Sequence, residues 1–369
     1  MTEQARADVL TEIHGGVGRI TLNRPQALNA LSLPMVRSLT ATLLQWQQDP
    51  QVNAVAIRGS NKEGPFGGFC AGGDIRFFHA AALAGDPVLE DFFTEEYALN
   101  HLIHTYTKPY IAFMDGIVMG GGMGICQGAS HRLVTSRTKM AMPETNIGLF
   151  PDVGGGYFLS RCPGSTGEWL GLTGAVVDAG TAIAAGLADH AMVPAQLGPA
   201  WDALAGLDWQ NPGALGHWVA TFSIAGGAYS ISDSARIDAI FSLPDVPSII
   251  AALESDSSDW ASHTAGVLRK RSPLMLLVVL EQLRRARSMS LAGVLRMERD
   301  MVRHCFASRH LGRLGSASET VEGIRALAVD KDHAPQWKPA RIEDVTPDMV
   351  APFFVSPWPS QVHPLRHLA

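Results

Sequence analysis

The sequence predicts an α/β fold, and three observations support this prediction. Two strand-like pieces, 8–14 and 18–23, flank Gly15-Gly16, which is the pattern of a β-hairpin. A helical pattern begins near Leu33, and another strand-like piece follows over 53–58. Strands that alternate with helices along a chain are typical of a sheet covered by helices. We therefore expect a layered α/β core.

The first helix has start signals and one apolar face. Ser32 is a candidate N-cap, and Pro34 lies in the first turn, where proline is tolerated. The apolar positions that repeat with helical spacing are Val36, Leu39, Leu43 and Trp46. This face is expected to pack in the core.

A glycine-rich loop over 64–73 ends at Asp74, which is placed to cap a helix over 75–83. Gly72 and Gly73 close this loop, and they fit two interpretations. They form a tight turn, or they let a backbone N–H approach a ligand atom closely.

Residues 87–106 have the pattern of a helix with one acidic residue on its apolar stripe. The stripe consists of Phe92, Glu96, Leu99, Ile103 and Tyr106, while Glu95 is placed off it. A carboxylate among apolar neighbours costs free energy unless it has a partner or a ligand. Glu96 is therefore a candidate ligand contact, and the alternative is a position at the edge of the stripe, in water.

The stretch 110–159 has the strongest functional pattern in the chain. A buried strand is predicted over 110–114, and the glycine triplet Gly120–Gly122 opens an apolar helix. The N–H groups at the start of a helix have no helical partners and carry partial positive charge. They suit an anion, or an oxygen that becomes anionic during a reaction.

Two carboxylates follow in apolar surroundings next to prolines. Glu144 comes after the residues MAMP, and Asp152 comes after LFP. Burial raises carboxyl pKa values, so acids in such places are candidates for catalysis. The structural alternative is that Asp152 caps a helix from about Val153 and that Glu144 is a solvated loop residue. The spacing leaves both interpretations open.

Helical patterns dominate the second half of the chain, for instance over 273–287, 290–306 and 318–329. Glycine, asparagine and proline over 201–216 indicate a boundary. We expect a core over residues 1–205, followed by a helical region with a proline-rich tail over 206–369.

Composition excludes several classes of protein. With 46% hydrophobic and 17% charged residues the chain is globular, and its net charge of −6 argues against a nucleic-acid partner. Four scattered cysteines without a CxxC pair are typical of reduced thiols in a cytoplasmic protein. No signal peptide is evident at the N-terminus, and no apolar run is long enough to span a membrane.

Other motifs are missing or weak. GxGxxG, GxxxxGK[ST] and GxSxG do not occur, which leaves dinucleotide, nucleoside-triphosphate and α/β-hydrolase sites without support. His101 and His104 have metal-binding spacing but no companion motif, so we expect no metal. The basic runs 269–271 and 284–287 are expected on solvated helix faces, although a phosphorylated ligand could use one.

Several separate motifs together resemble the enoyl-CoA hydratase/isomerase (crotonase) superfamily. They are FCAGGDI over 69–75, the residues from Lys108-Pro109 through the glycine triplet, and MPET over 142–145. The motifs that resemble its 3-hydroxyisobutyryl-CoA hydrolase branch are EEY over 95–97, FPDVGGGYF over 150–158, DKD over 330–332 and WKP over 337–339. The resemblance extends from about Gly18 to about Pro339. It implies a crotonase-like spiral core of repeated ββα units.

The resemblance also implies a site for a CoA thioester. It places the N–H groups of Gly73 and Gly121 on the thioester carbonyl oxygen, as an oxyanion hole. The CoA moiety is expected along the loop from Gly72 to Arg76, with Arg76 as a contact to phosphate or adenine. A surface position in the first turn of a helix explains Arg76 equally well.

The acids decide which reaction of this family the chain resembles. Hydratases of the family have one glutamate two residues after the triplet, where this chain has Gly124, and a second near Glu144. Isomerases work with a single carboxylate near Glu144. In the resembled hydrolases, the glutamate and an aspartate at the place of Asp152 face the acyl group, and Glu96 contacts the substrate.

The resemblance therefore implies hydrolysis of a short 3-hydroxyacyl-CoA ester, 3-hydroxyisobutyryl-CoA or 3-hydroxypropionyl-CoA, in valine breakdown. An enoyl-CoA isomerase or hydratase is the alternative, and a non-catalytic acyl-CoA-binding protein is a third. We expect no cofactor, because CoA is part of the substrate. A homo-oligomer is expected from the fold, whose members often form trimers.

Overall fold

The computed structural model describes residues 7–225 and 227–369, which form two compact units interleaved along the chain. We call them the sheet unit and the helical unit. The sheet unit consists of the chain up to Gly73, Leu99–Met140 and Val177–Ile231. The helical unit consists of Asp74–Ala98, Ala141–Val176 and Ser232–Ala369. The boundary expected at residue 205 stays a prediction, and the sequence's first six residues lie outside the described ones.

The strands follow one another with short bounds. They are β1 (Val9–His14), β2 (Val17–Leu22), β3 (Ala54–Asn61), β4 (Gly64–Pro65), β5 (Tyr110–Met114), β6 (Ile117–Met119), β7 (His131–Thr135), β8 (Lys139–Ala141), β9 (His190–Met192), β10 (Ala307–Ser308) and β11 (Arg313–Leu314). The predicted hairpin is confirmed as β1 and β2, and the predicted strands at 53–58 and 110–114 as β3 and β5.

The helices are longest in the C-terminal half. They are α1 (Leu33–Gln48), α2 (Ile75–Ala84), α3 (Val88–His104), α4 (Gly121–Gln127), α5 (Gly155–Leu159), α6 (Thr166–Thr173), α7 (Ala179–Ala184), α8 (Leu197–Ala203), α9 (Ala214–Phe222), α10 (Ser234–Phe241), α11 (Val246–Ser255), α12 (Asp259–Leu268), α13 (Pro273–Ala286), α14 (Leu291–Phe306), α15 (Glu319–Ile324) and α16 (Pro347–Val350). The helix expected over 318–329 is shorter, because its second half widens into a π-turn over Arg325–Val329.

The main sheet lies in the sheet unit, with strand order β1-β2-β3-β5-β7-β9 and β4 beside β3. Strands β2, β3, β5, β7 and β9 run parallel, and β1 pairs antiparallel with β2. All five residues of β5 are buried, as expected for the interior of a parallel sheet covered on both faces. The α/β fold predicted from the sequence is confirmed.

An aromatic core supports one face of this sheet. Phe113 of β5 packs edge-on against Trp201 of α8, with ring centroids 5.3 Å apart, and Phe66 lies 5.9 Å from Phe113. The Arg58 guanidinium covers the Trp201 ring at 4.2 Å. These rings fix the position of β5, whose carboxyl end leads into the glycine triplet.

The helical unit has its own aromatic core around α2, α3 and α14. Phe78 stacks against Phe92 and Phe93 at 4.8 and 4.9 Å, and Phe306 lies 5.6 Å from Phe93. Asp74 caps α2 by accepting a hydrogen bond from the Phe77 N–H, as predicted. Since α3 ends at His104, Tyr106 lies outside the apolar stripe to which the sequence assigned it.

Candidate active site

The glycine triplet forms a sharp turn where β6 meets α4. Gly120 has φ of 49° and ψ of −122°, a conformation that glycine adopts without strain. All residues of α4 are buried, so the predicted buried helix is confirmed. Gly121 is its first residue, and its N–H therefore has no helical partner.

The loop that ends at Gly73 runs beside this turn within the sheet unit. Cys70 donates its N–H to the Ile117 carbonyl at 2.9 Å, and its own carbonyl accepts from the Met119 N–H at 3.0 Å. A β-carbon on Gly122 would lie 2.2 Å from the Cys70 carbonyl oxygen, so only glycine permits this approach. Residues 70–73 and 117–122 are thereby held side by side.

The two predicted oxyanion donors belong to these adjacent segments. Gly72 has φ of +109°, and a β-carbon placed on it would be 3.7 Å from the Gly121 nitrogen. Within residues 7–225 and 227–369, the N–H groups of Gly73 and Gly121 have no hydrogen-bond partner. Two unpaired amides on neighbouring segments can donate to one oxygen atom.

The three predicted acids lie in the helical unit, and all are buried. Glu96 on α3, Glu144 in a 3₁₀ turn over Glu144–Ile147, and Asp152 are 2%, 6% and 5% exposed. The solvated alternatives for Glu96 and Glu144 are therefore wrong. So is the capping role for Asp152, because the cap position of α5 is occupied by Gly154.

Asp152 is held by a tyrosine that the sequence analysis did not single out as a site residue. The Tyr97 hydroxyl donates to Asp152 Oδ2 at 2.8 Å, and both groups are buried. Burial raises the pKa of Asp152 to about 6, although the Tyr97 hydrogen bond opposes this rise. Asp152 is thus an acid that changes its charge near neutral pH.

Glu96 and Glu144 share the field of this aspartate. Burial, with the charge of Asp152 as the next cause, holds the pKa of each glutamate well above its usual range. Glu96 Oε1 and Glu144 Oε2 are buried without a hydrogen-bond partner in the described chain. Unpartnered buried carboxyl oxygens are costly and are therefore available to a ligand.

The turn that carries Glu144 is anchored on both sides. Its backbone carbonyl accepts from the Leu149 N–H at 3.0 Å, and the Thr145 hydroxyl donates to the Leu172 carbonyl at 3.1 Å. The Thr145 carbonyl accepts from the Ser272 N–H at 3.2 Å. These bonds fix the backbone of the turn, so the direction of the Glu144 side chain is restricted.

A fourth buried acid, Glu298 on α14, holds the glycines that follow Asp152. Glu298 Oε2 accepts from the Gly154 N–H at 2.7 Å, and Oε1 accepts from the Gly156 N–H at 2.9 Å and from Gln282 Nε2 at 3.0 Å. Val153, between Asp152 and these glycines, has φ of 54°, which a β-branched residue rarely adopts. Glu298 thereby supports a strained turn beside the candidate site.

The sequence contains a signal for Glu298 that the analysis did not use. It lies at helical spacing from Leu295 and Met301 on the buried face of α14, as Glu96 does on α3. Burial raises the pKa of Glu298 to about 8, while its bonds from Gly154 and Gly156 oppose that shift.

Replacing Glu298 with alanine should lower the free energy of unfolding by about 3 kcal/mol or more, since three buried donors would lose their acceptor. Urea denaturation followed by circular dichroism measures this change. Glu281→Ala is the matched control, because that glutamate is exposed and pairs only with Arg285 on α13. A loss of less than 1 kcal/mol in Glu298→Ala would contradict the supporting role.

The remaining predicted residues add less. Arg76 is exposed in the first turn of α2, and no contact to the acids is present. The described residues contain no group of three or more metal-ligating side chains, and none of their helices is long and apolar enough to cross a membrane. The structure therefore brings together Gly72, Gly73 and Gly121 in the sheet unit, and Glu96, Glu144 and Asp152 in the helical unit.

Known proteins share this architecture. The chain is 36% identical to a solved structure described as a carnitinyl-CoA dehydratase from Mycobacterium thermoresistibile, with a TM-score of 0.85 over 96% of this chain and 98% of that one. It is 37% identical to an enoyl-CoA hydratase structure from Rhodobacter sphaeroides, with a TM-score of 0.83 over 95% and 98% of the two chains. The crotonase-like fold expected from the resemblance is confirmed.

Relatives of established name match over similar lengths. The chain is 37% identical to the mitochondrial 3-hydroxyisobutyryl-CoA hydrolase of Gallus gallus, over 93% of this chain and 88% of that protein. The human protein of that name is 36% identical over 93% and 87% of the two chains. A family model described as enoyl-CoA hydratase/isomerase matches residues 17–354. The chain belongs to the enoyl-CoA hydratase/isomerase family.

Proposed function

We propose that this protein hydrolyses short 3-hydroxyacyl-CoA thioesters, with 3-hydroxyisobutyryl-CoA as the first candidate substrate and 3-hydroxypropionyl-CoA as the second. Relatives at 36–38% identity bear the name of a 3-hydroxyisobutyryl-CoA hydrolase. The observation that carries the proposal is the pair of buried acids, Glu144 and Asp152, each with a raised pKa.

Catalysis begins, in this proposal, with polarisation of the thioester carbonyl. The N–H groups of Gly73 and Gly121 donate to the carbonyl oxygen and stabilise the negative charge that develops on it. One such donor is typically worth a factor of about 100 to 1000 in rate. Both donors are backbone groups, so side-chain substitutions leave them in place.

Glu144 supplies the attack on the carbonyl carbon, in its carboxylate form. It either takes a proton from water as a general base, or attacks the carbon itself to form an anhydride that water then cleaves. Its raised pKa makes the carboxylate a stronger base than an exposed glutamate. A single turnover in H₂¹⁸O separates the routes, because only the anhydride route transfers ¹⁸O or substrate oxygen through the Glu144 carboxyl group.

Asp152 acts on the acyl end and on the leaving group. Its carboxyl group accepts the 3-hydroxyl of the substrate, and it delivers a proton to the departing CoA thiolate or takes one from water. The pKa of about 6 lets it exchange a proton near neutral pH. Tyr97 holds Oδ2 of Asp152, and Glu96 contacts the substrate in this proposal.

Hydration or isomerisation of an enoyl-CoA is the second candidate function. The solved structures named above as a dehydratase and a hydratase favour it, since they are 36–37% identical to this chain. Gly124 argues against the hydration reaction that the family performs with two glutamates, because it offers no carboxylate on α4. Asp152, buried beside Glu144, argues against an isomerase that works with one acid.

The purified protein is expected to release free CoA from 3-hydroxyisobutyryl-CoA, which a thiol reagent detects continuously. The same preparation is tested with crotonyl-CoA and a Δ3-enoyl-CoA. Rapid hydration of crotonyl-CoA without CoA release would show that the protein is a hydratase. A shift of the double bond without CoA release would show an isomerase, and binding without turnover of any ester a non-catalytic protein.

The setting of the reaction is proposed with the function. We infer that the protein works without a cofactor beyond the CoA of its substrate, in the cytoplasm, in valine breakdown and as a homo-oligomer. Cys70, Cys126, Cys162 and Cys305 are buried free thiols, which fits a reducing compartment. Cell fractionation and light scattering on the purified protein test the location and the oligomeric state.

A further inference from the structure

A cavity of about 550 Å³ lies in the helical unit, at the end of α12. Its wall includes Asn146, Gly323 and Trp337, and none of Glu96, Glu144 or Asp152 lines it. Its volume falls in the range of small-molecule sites, which is about 300–1,000 Å³. This cavity therefore has room for a ligand.

The charges on its wall have one sign. Arg269, Lys270 and Arg271 are consecutive and all line the cavity, and His333 lies on the wall as well. Among the described lining residues there is no aspartate or glutamate. The basic run that the sequence analysis assigned to a solvated helix face therefore follows the end of α12 and faces a cavity, which corrects that assignment.

Arg271 carries a half-buried charge without an acidic partner. Its Nε and Nη2 donate to the Thr173 carbonyl at 3.0 and 2.7 Å, and Nη1 donates to Asn146 Oδ1 at 2.5 Å. No carboxylate of the described chain lies within 4.0 Å of its guanidinium. A guanidinium has five N–H donors, so these bonds leave two for a ligand.

The acids near the cavity are already neutralised by other arginines. Glu254 and Glu343 both pair with Arg269. On the opposite segment, Arg325 pairs with Glu322, Asp330 and Asp332. Positive charge on Lys270 and Arg271 is therefore left uncompensated inside the cavity, which attracts an anion.

The other walls are apolar and fixed. Val267, Leu327 and Pro335 line the cavity, and Trp337 is held by the hydrogen bond from its Nε1 to the Lys270 carbonyl at 3.2 Å. An apolar wall beside two free cationic groups suits a ligand with an aromatic part and phosphate groups. A guanidinium and an ammonium are both common phosphate contacts in proteins.

We propose that this cavity binds a small nucleotide, with Arg271 and Lys270 as the contacts to its phosphate groups. The nucleotide has two possible sources. It is the 3′-phosphorylated ADP end of the CoA ester, in which case the inference rests on the proposed function, or it is a separate nucleotide that binds whether or not a thioester is hydrolysed.

Calorimetric titration with adenosine 3′,5′-bisphosphate tests the cavity directly. Arg271→Gln and Lys270→Gln should each weaken binding about tenfold or more, because each removes a charge-assisted contact to phosphate. Lys270→Gln removes an exposed side chain and should leave the fold intact even if Arg271→Gln perturbs it. Arg236→Gln is the matched control, since Arg236 on α10 is exposed and pairs with Asp233.

Two kinetic arms separate the sources. If Lys270→Gln raises KM for the CoA ester but leaves KM for the corresponding pantetheine ester unchanged, the nucleotide is the substrate's own. If both KM values are unchanged while bisphosphate binding weakens, the cavity takes a separate nucleotide.

Two results would overturn the proposal. One is the absence of bisphosphate binding by the unsubstituted protein, and the other is equal binding by both variants. Failure to hydrolyse any ester would reject the proposed function alone, because the titration does not depend on turnover.

Discussion

Replacing Glu144 with alanine is expected to reduce CoA release by about 1000-fold or more, because the variant lacks the group that attacks the thioester or activates water for that attack. The loss should appear mainly in kcat, since the backbone amides that bind the carbonyl oxygen remain. Steady-state kinetics with 3-hydroxyisobutyryl-CoA measure it, together with the melting temperature.

Glu144→Gln separates chemistry from packing. It keeps the size of the side chain in its buried position and removes only the ionisable oxygen. Both variants should remain folded, and both should lose activity. If Glu144→Gln retained more than about a tenth of the wild-type kcat, Glu144 could not be the base or the nucleophile.

Replacing Asp152 with asparagine is expected to reduce kcat/KM by about 100- to 10,000-fold, the usual range for loss of a proton-transfer group. It also removes a negative charge that, after burial, is the next largest cause of the raised pKa of Glu144. The pKa of Glu144 should therefore fall in this variant.

The pH profile reports this second effect. Glu144 acts as a carboxylate, so kcat/KM should fall as pH falls through its raised pKa. In Asp152→Asn the residual activity should keep its plateau to a lower pH than wild type. Asp208→Asn, an exposed aspartate in a turn, should change neither rate nor profile. An unshifted acid limb in Asp152→Asn would contradict the electrostatic link between the two acids.

The sequence predicts best those features that depend on local spacing. The hairpin, the buried strand β5 and the capping of α2 by Asp74 follow from neighbours a few residues apart. Glu96 was found in the same way, because a carboxylate on an apolar helical stripe is visible in the periodicity. These features are confirmed by the structure.

The burial of Glu144 and Asp152 could not be decided by spacing alone. Asp152 is enclosed by Tyr97, 55 residues earlier, and its turn is held by Glu298, more than 140 residues later. Loop acids become buried through such distant packing, which period and propensity do not encode. Resemblance to a family supplied the weight that local pattern could not, and the roles of these acids stay proposals.

The four buried acids around Asp152 make folding of this chain a proton-uptake process. An unfolded aspartate or glutamate has a pKa near 4, whereas the native pKa of Asp152 is about 6 and that of Glu298 about 8. Because these values are raised, their contribution to native stability is complete below about pH 4 and is lost as pH rises through 6 to 8. At neutral pH the native protein thus holds protons that its denatured form would surrender to the buffer, and an acidified cell would tighten the fold while slowing the reaction.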